Sequence, residues 1–331
     1  MNELLATDAQ EPAAESTSVV DWLKDLHNLG LIAVLLVVGV AGFVTAPDTF
    51  PTADNFSTIL KGAATIGVVS VGMTFVIIGG GIDLSVGAIV ALASVWATTL
   101  ATQSFGMWGM IFTALLVGTL TGLVNGAFIA YGRIVPFIMT LAMLVAARGV
   151  AQILSDNKTQ IVDVEAFKQI SLGGVLGISN LIWIFAVVVA VGWLVLNRTT
   201  FGRRTFAIGG NPEAARLAGI NVKRQTLWLY ALSGFTCGIA AIILAARTTT
   251  GSSTHGELYE LDAIAAVIIG GTALAGGKGT MIGTLLGVLV FQTMSNIFIL
   301  NNLETNVQNV AKGVIIVLAV LLQARTERNT T

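Results

Sequence analysis

Long apolar runs, repeated from residue 29 to residue 323, constrain this chain more than any other feature. A membrane crossing by an α-helix needs roughly 20 consecutive apolar residues. The runs at about 29–46, 58–80, 86–104, 108–131, 134–154, 178–196, 226–246, 262–276, 280–299 and 307–323 give ten candidate spans. Two are atypical. The run at 86–104 follows a glycine-rich break, and 262–276 is short for a full crossing, so each is a candidate for a re-entrant or discontinuous helix. Composition agrees: 55% of residues are hydrophobic and only 11% charged, where soluble domains carry about 25% charged residues. The fold class is therefore an all-α polytopic transmembrane bundle. The single cysteine, Cys237, excludes an internal disulfide, and His27 and His255 are too isolated to suggest a metal site.

Between the sixth and seventh runs lies a polar loop, residues 197–225. It carries Arg198, Arg203, Arg204, Arg216, Lys223 and Arg224 against one acid, Glu213. Basic loops of this length lie in the cytoplasm. With ten spans and the N-terminus inside, the inner segments hold eleven cations: Lys24, Arg133, the six of the loop, Lys278, Arg325 and Arg328. The outer segments hold Lys61, Lys158, Lys168 and Arg247. The outer loops instead bear acids, among them Asp48, Asp54, Asp156, Asp163, Glu257, Glu260 and Glu304, which suit either loop solubility or the reception of an extracytoplasmic protein. Inside the basic loop, Asn211-Pro-Glu-Ala-Ala-Arg-Leu-Ala-Gly219 predicts a short helix. Asn211 is its cap, Pro212 its first residue and Gly219 its stop.

Residues 1–28 read as an acidic tail, disordered over 1–17, with a candidate interfacial helix beginning at Val19. Residues 29–323 form the transmembrane domain and 324–331 a cytoplasmic tail. Gly118, Gly122 and Gly126 recur at four-residue spacing, as do Gly279, Gly283 and Gly287, a pattern that lets helices pack closely in lipid. The pentapeptide Val-Ile-Ile-Gly-Gly occurs at both 76–80 and 267–271, a hint of internal repetition.

In the break Gly79–Gly87, Asp83 is an acid between apolar runs; it stands where a helix restarts and is expected to cap it or to serve a hinge. Asp83, Ser85, Asn125 and Asn296 are the candidates for a substrate path or hinge. Arg148, well inside a span, is expected to pair with an acid or with helix-end carbonyls, and Lys312 to snorkel to the outer boundary. Gly276-Gly277-Lys278-Gly279-Thr280 fails the phosphate-loop pattern, because Gly277 stands where Lys is required. With no nucleotide motif and no ladder of buried carboxylates, the chain lacks an energy source of its own.

Four stretches carry a family resemblance. They are Gly80-Gly-Ile-Asp-Leu-Ser-Val-Gly87, Thr200-Phe-Gly-Arg203, Ala207–Ile220 with its Glu-Ala-Ala-x-x-x-Gly, and Glu260–Gly271. Together they resemble the ribose/xylose/arabinose class of ABC sugar permeases, over roughly residues 30–323. The resemblance implies a permease subunit in a bacterial inner membrane with both termini cytoplasmic. It would form a translocation path with a second permease subunit, expected to be identical, be driven by a cytoplasmic ABC ATPase and be fed by an extracytoplasmic sugar-binding protein. By the same resemblance Glu213, Ala214, Ala215, Arg216 and Gly219 engage the ATPase. No catalysis, cofactor, metal or nucleic acid is expected. The competing readings are an ion-coupled secondary carrier of a small polar solute and a membrane scaffold; neither accounts for a capped Glu-Ala-Ala helix in a basic loop.

Overall fold

The computed structural model describes residues 26–328; the acidic tail and the candidate interfacial helix before residue 26 lie outside them. Each of the ten apolar runs is helical. The first six correspond to α1 (Leu26–Thr45), α2 (Ala53–Ile78), α3 (Val86–Ala97) with the short α4 (Leu100–Gln103), α5 (Gly106–Ala130), α6 (Pro136–Ser155) and, after the short amphipathic α7 (Glu165–Leu172), α8 (Asn180–Arg198). The basic loop folds into α9 (Thr200–Gly210) and α10 (Pro212–Leu217). The remaining runs form α11 (Val222–Thr248), α12 (Tyr259–Ile269), α13 (Met281–Leu300) and α14 (Thr305–Arg328), the last continuing past the expected boundary at 323. Among the described residues, strand is confined to two antiparallel ladders of two-residue strands, β1 (Gln160–Ile161) with β4 (Thr250–Gly251), and β2 (Gly174–Val175) with β3 (Ile178–Ser179).

Among the described residues six helices, α2, α5, α6, α8, α11 and α13, are long and apolar enough to cross a membrane. The two atypical runs are half-helices. At 1.5 Å per residue, 12-residue α3 and 11-residue α12 each reach about half of a ~30 Å hydrocarbon layer. Broken helices at that depth survive only where protein covers the freed backbone groups. Here α3 is almost wholly buried, enclosed by α5, α6 and α11.

At the centre stand α2 and α11, whose apolar stretches are 94% and 83% buried, whereas α6 and α8 are buried over only 17% and 22%. The outward faces of α5, α6 and α8 carry residues such as Phe112, Val145 and Val187 and suit lipid or a second subunit. Glycine sets the closest approach in the core. A Cβ at Gly118 would lie 2.3 Å from the Gly234 carbonyl oxygen, and one at Gly122 2.2 Å from that of Tyr230. The four-residue glycine spacing of α5 is thus read by the backbone of α11.

The repeated pentapeptide is a repeated helix stop. Gly80 ends α2 at φ 82° and Gly271 ends α12 at φ 84°. In the first, Gly80 N–H donates to Ile77 O (2.9 Å) and Gly81 N–H to Val76 O (2.9 Å); in the second, Gly271 N–H donates to Ile268 O (2.8 Å) and Thr272 N–H to Val267 O (3.2 Å). A left-handed residue is required at such a stop, and glycine supplies it without strain. Each stop is followed by a break and a restarting helix, α3 or α13.

Candidate functional site

Residues 211–219 of the basic loop fold as their cap and stop residues predict, whereas the helix α9 ahead of them was not expected. Asn211 Oδ1 accepts from the N–H groups of Glu213 (3.1 Å) and Ala214 (2.9 Å), capping α10. Gly219, at φ 83°, turns the chain away while Ile220 N–H returns to Ala215 O at 3.0 Å. On the outer face of α10, Arg216 binds Glu213 through both Nε (3.0 Å) and Nη2 (2.5 Å). The hydrogen bonds from Arg216 hold the Glu213 carboxyl below its ordinary range, but in a fully solvated pair of this kind the contribution to stability is small. Of the expected coupling residues, Glu213, Ala214, Arg216 and Gly219 are exposed, whereas Ala215 is buried in the cluster containing Ile208 and Ile220 and anchors α10 to its own chain. Sequence reasoning passed over Leu217, the most exposed large apolar side chain of the loop at 75%. Its signal was available: an apolar residue on a six-residue helix whose buried face is already occupied by Ala215.

Behind α10, α9 is bolted to the bundle. The buried Gln225, in the first turn of α11, donates through Nε2 to Phe201 O (3.0 Å) and Thr205 Oγ1 (3.0 Å). At the other end of α9, Gly209 lies against backbone on two sides. A Cβ there would stand 1.7 Å from Ile78 O and 2.6 Å from Gly277 N. Gly277 N–H in turn donates to Ile78 O (2.8 Å). The end of α9, the stop of α2 and the turn between α12 and α13 therefore meet backbone to backbone. Beside this junction is a cavity of about 320 Å³, lined in part by Gly79, Gly81, Ile208, Pro212 and Tyr230.

Above the cavity the first break is held by polar groups, and here three of the four path-or-hinge candidates come together. Asp83, Ser85 and Asn125 are all fully buried. Asp83 Oδ1 accepts from Ser85 N–H (3.0 Å) and Ser85 Oγ (2.5 Å); its Oδ2 accepts from Ser233 Oγ of α11 (2.8 Å). Asn125 Nδ2 of α5 donates to Ser85 Oγ (2.8 Å), and Tyr230 Oη of α11 donates to Ile82 O (3.3 Å). Asp83 does not cap α3 as expected. The N-cap is Ser85, which makes no capping side-chain bond, and the carboxylate instead fastens the break to α11. Ser233 was missed because a serine within an apolar span carries no mark of a partner 150 residues away.

The fourth candidate, Asn296, lies elsewhere. It forms a reciprocal amide pair with Asn55, at 2.8 and 3.1 Å, joining α13 to the start of α2. Nor does Lys312 snorkel free: its Nζ pairs with Asp262 at 3.0 Å, 22% and 12% of the two side chains being exposed. Arg148 takes the carbonyl option, donating through Nη1 to Ser253 O (2.6 Å) and His255 O (2.9 Å). Among the described residues no group of His, Cys, Asp and Glu is arranged to hold a metal ion.

Residues 55–320 match the family described as branched-chain amino acid transport system / permease component. The chain is similar to the ribose import permease protein RbsC of Haemophilus influenzae, 38% identical over 300 residues that cover 89% of this chain and 92% of the relative. RbsC of Escherichia coli K12 is 36% identical over 310 residues, covering 92% and 95%. The L-arabinose transport system permease protein AraH of the same organism is 37% identical over 292 residues, covering 88% and 89%. No solved structure matches the chain significantly.

Proposed function

The chain belongs to the branched-chain amino acid transport system / permease family, and we propose that within it this protein is the membrane subunit of an ATP-driven importer of a neutral monosaccharide or related small polyol. It is a transport permease with an all-α membrane bundle. The sugar class rests on the ribose and arabinose permeases that resemble it over nearly their whole length. In this reading two copies form the path, an extracytoplasmic binding protein delivers the sugar, and a cytoplasmic ABC ATPase docks on the basic loop. The loop, both glycine stops and Lys278 gather at one end of the bundle, which we place in the cytoplasm because most Lys and Arg residues lie there.

The observation that carries the coupling role is mechanical. α10 is exposed and capped, offers Glu213, Ala214, Arg216 and Leu217 to a partner, and follows directly after α9 across the single extended residue Asn211; the last turn of α9 touches backbone at both helix breaks. A push on α10 reaches the stop of α2 and the α12–α13 turn with no soft side chain between. Closure of the ATPase pair would thus tilt the helices that restart after those breaks, and Asp83, Ser85 and Asn125 form the hinge around which α3 is held. Alternating access then needs no ion gradient.

The test is uptake in proteoliposomes that contain the permease, its ATPase and its binding protein. Radiolabelled ribose or arabinose should enter when ATP is present, and entry should persist after an uncoupler collapses the proton gradient. Uptake that stops with the gradient and ignores ATP would establish a secondary carrier. Uptake of leucine in place of sugar would move the substrate class to amino acids.

A further inference from the structure

Helices α8 and α11 both pack on the central α2 but leave a cleft between their own faces. Its deeper part, about 230 Å³, reaches Val71 and Phe75 of α2 between Val191 of α8 and Ile239 of α11. The part toward the basic loop, about 470 Å³, runs past Trp228 to Phe201 of α9. Val195, Leu232 and Phe235 line both parts, so the two form one continuous groove. Exposed Val187, Val191 and Phe235 show that it opens toward the side of the bundle. The two hydroxyls in its walls are turned away. Thr236 Oγ1 donates to Ser233 O (2.8 Å) and Thr119 Oγ1 to Leu115 O (2.6 Å), each within its own helix. The groove therefore offers hydrocarbon along its length, with the indole of Trp228 near its inner end, and lacks the convergent polar groups that would orient a sugar.

That inner end is positively charged. Arg204 stands one turn from Phe201 on α9, and Arg224 one turn from Trp228 on α11. Both are exposed, and among the described residues neither has an acidic partner. Arg198 also ends α8 here, its guanidinium 5.7 Å from the centroid of the Trp193 ring. No Asp or Glu occurs in α5, α8, α9 or α11, and the one acid of the loop, Glu213, is taken by Arg216. We propose that the groove holds an acyl chain of a phospholipid whose acidic headgroup rests between Arg204 and Arg224. The chain covers the apolar walls that α8 and α11 leave open, and the two long side chains reach out to the phosphate and bind it by charge-assisted hydrogen bonds. A helix, about 10–12 Å wide with its side chains, is a poorer match to a cleft between two helices that share α2 as their floor. The lipid touches α9 through Phe201 and α2 through Phe75, whose rings lie 6.0 Å apart, and so fills the space beside the helix that carries α10. This site does not depend on what the bundle carries.

The experiment offers the purified full-length chain in detergent equal amounts of phosphatidylglycerol and phosphatidylcholine with identical acyl chains, and reads bound lipid by native mass spectrometry. The wild type should keep one phosphatidylglycerol per chain, preferred about tenfold over phosphatidylcholine, as two cations beside one acidic headgroup require. Arg204→Gln combined with Arg224→Gln changes only exposed side chains. It should bind the two lipids alike, with an unchanged melting midpoint in lipid-free detergent. Val195→Trp, which puts a ring into the groove, should keep neither lipid, and phosphatidylglycerol should no longer raise its melting midpoint as it raises that of the wild type. The site is overturned by equal binding of both lipids to the wild type, by a preference for phosphatidylglycerol that survives loss of both arginines, or by wild-type retention in a folded Val195→Trp. A benzophenone side chain at Val191 identifies the occupant in intact membranes. Its adduct should be a phospholipid; an adduct to a second copy of the chain, or to residues 1–25 of the same chain, would give the groove to protein and overturn the proposal.

Discussion

Asp83 shows how a single residue acquires meaning from distant partners. Three donors, two of them from Ser85 and one from Ser233, converge on its carboxylate in a fully buried site. Asn keeps Oδ1 for both Ser85 donors, and Ser233 can rotate its hydroxyl to accept from the new amide. Leu leaves all three donors buried without an acceptor, at about 1–3 kcal/mol each. Asp83→Asn is therefore expected to keep the fold and part of the transport. Asp83→Leu should lower the melting temperature in detergent by several degrees and abolish transport. Equal stability of the two variants would show that the break is not held through this carboxylate. An acid stranded between apolar runs already marked the position in the sequence. That its role is to fasten rather than to cap was hidden, because Ser233 lies 150 residues away.

At the scale of elements, glycine and length decide the outcome. The half-helices α3 and α12 are too short to span, yet they are covered by neighbours that approach over glycine. The connection from α10 through α9 to the two breaks is likewise a glycine contact. Gly209→Ala would force a methyl group against Ile78 O, so α9 must draw away from the junction while α10 remains folded and exposed. We expect the variant to bind its ATPase and hydrolyse ATP while sugar uptake falls at least tenfold. Leu217→Asp, which changes only the exposed face of α10, should instead weaken co-purification of the ATPase itself. If both variants failed at the same step, docking and transmission would not be separate functions of α10 and α9.

For the whole molecule the decisive quantity is which end faces the cytoplasm. The structure gathers the basic loop, Lys278 and the glycine stops at one end, and the β1–β4 ladder at the other. Single cysteines at exposed Asn157 and Leu217, in a background where buried Cys237 is Ala, distinguish the orientations. A membrane-impermeant thiol reagent applied outside intact spheroplasts should label position 157 and spare 217. The reverse pattern would invert the bundle. Thr205 would be a poor reporter for this purpose, being fully buried beneath Gln225 although it lies in the basic loop.

Much of this protein was legible in one dimension because lipid imposes simple rules. A helix must satisfy its own backbone, so the two short runs and the all-α class follow from apolar length, whereas of the ten expected spans six described helices are long and apolar enough to cross. The cap, first residue and stop of α10 follow from local backbone chemistry at Asn211, Pro212 and Gly219. The four-residue glycine spacing announced close packing. What tertiary structure decided are the pairings across long sequence separations: Asp83 with Ser233, Asn55 with Asn296, Lys312 with Asp262, Arg148 with the carbonyls of 253 and 255. Each residue's polarity in an apolar run declared that it needed a partner. Many distant groups would have satisfied that need, and only the packing of one helix against another selects among them.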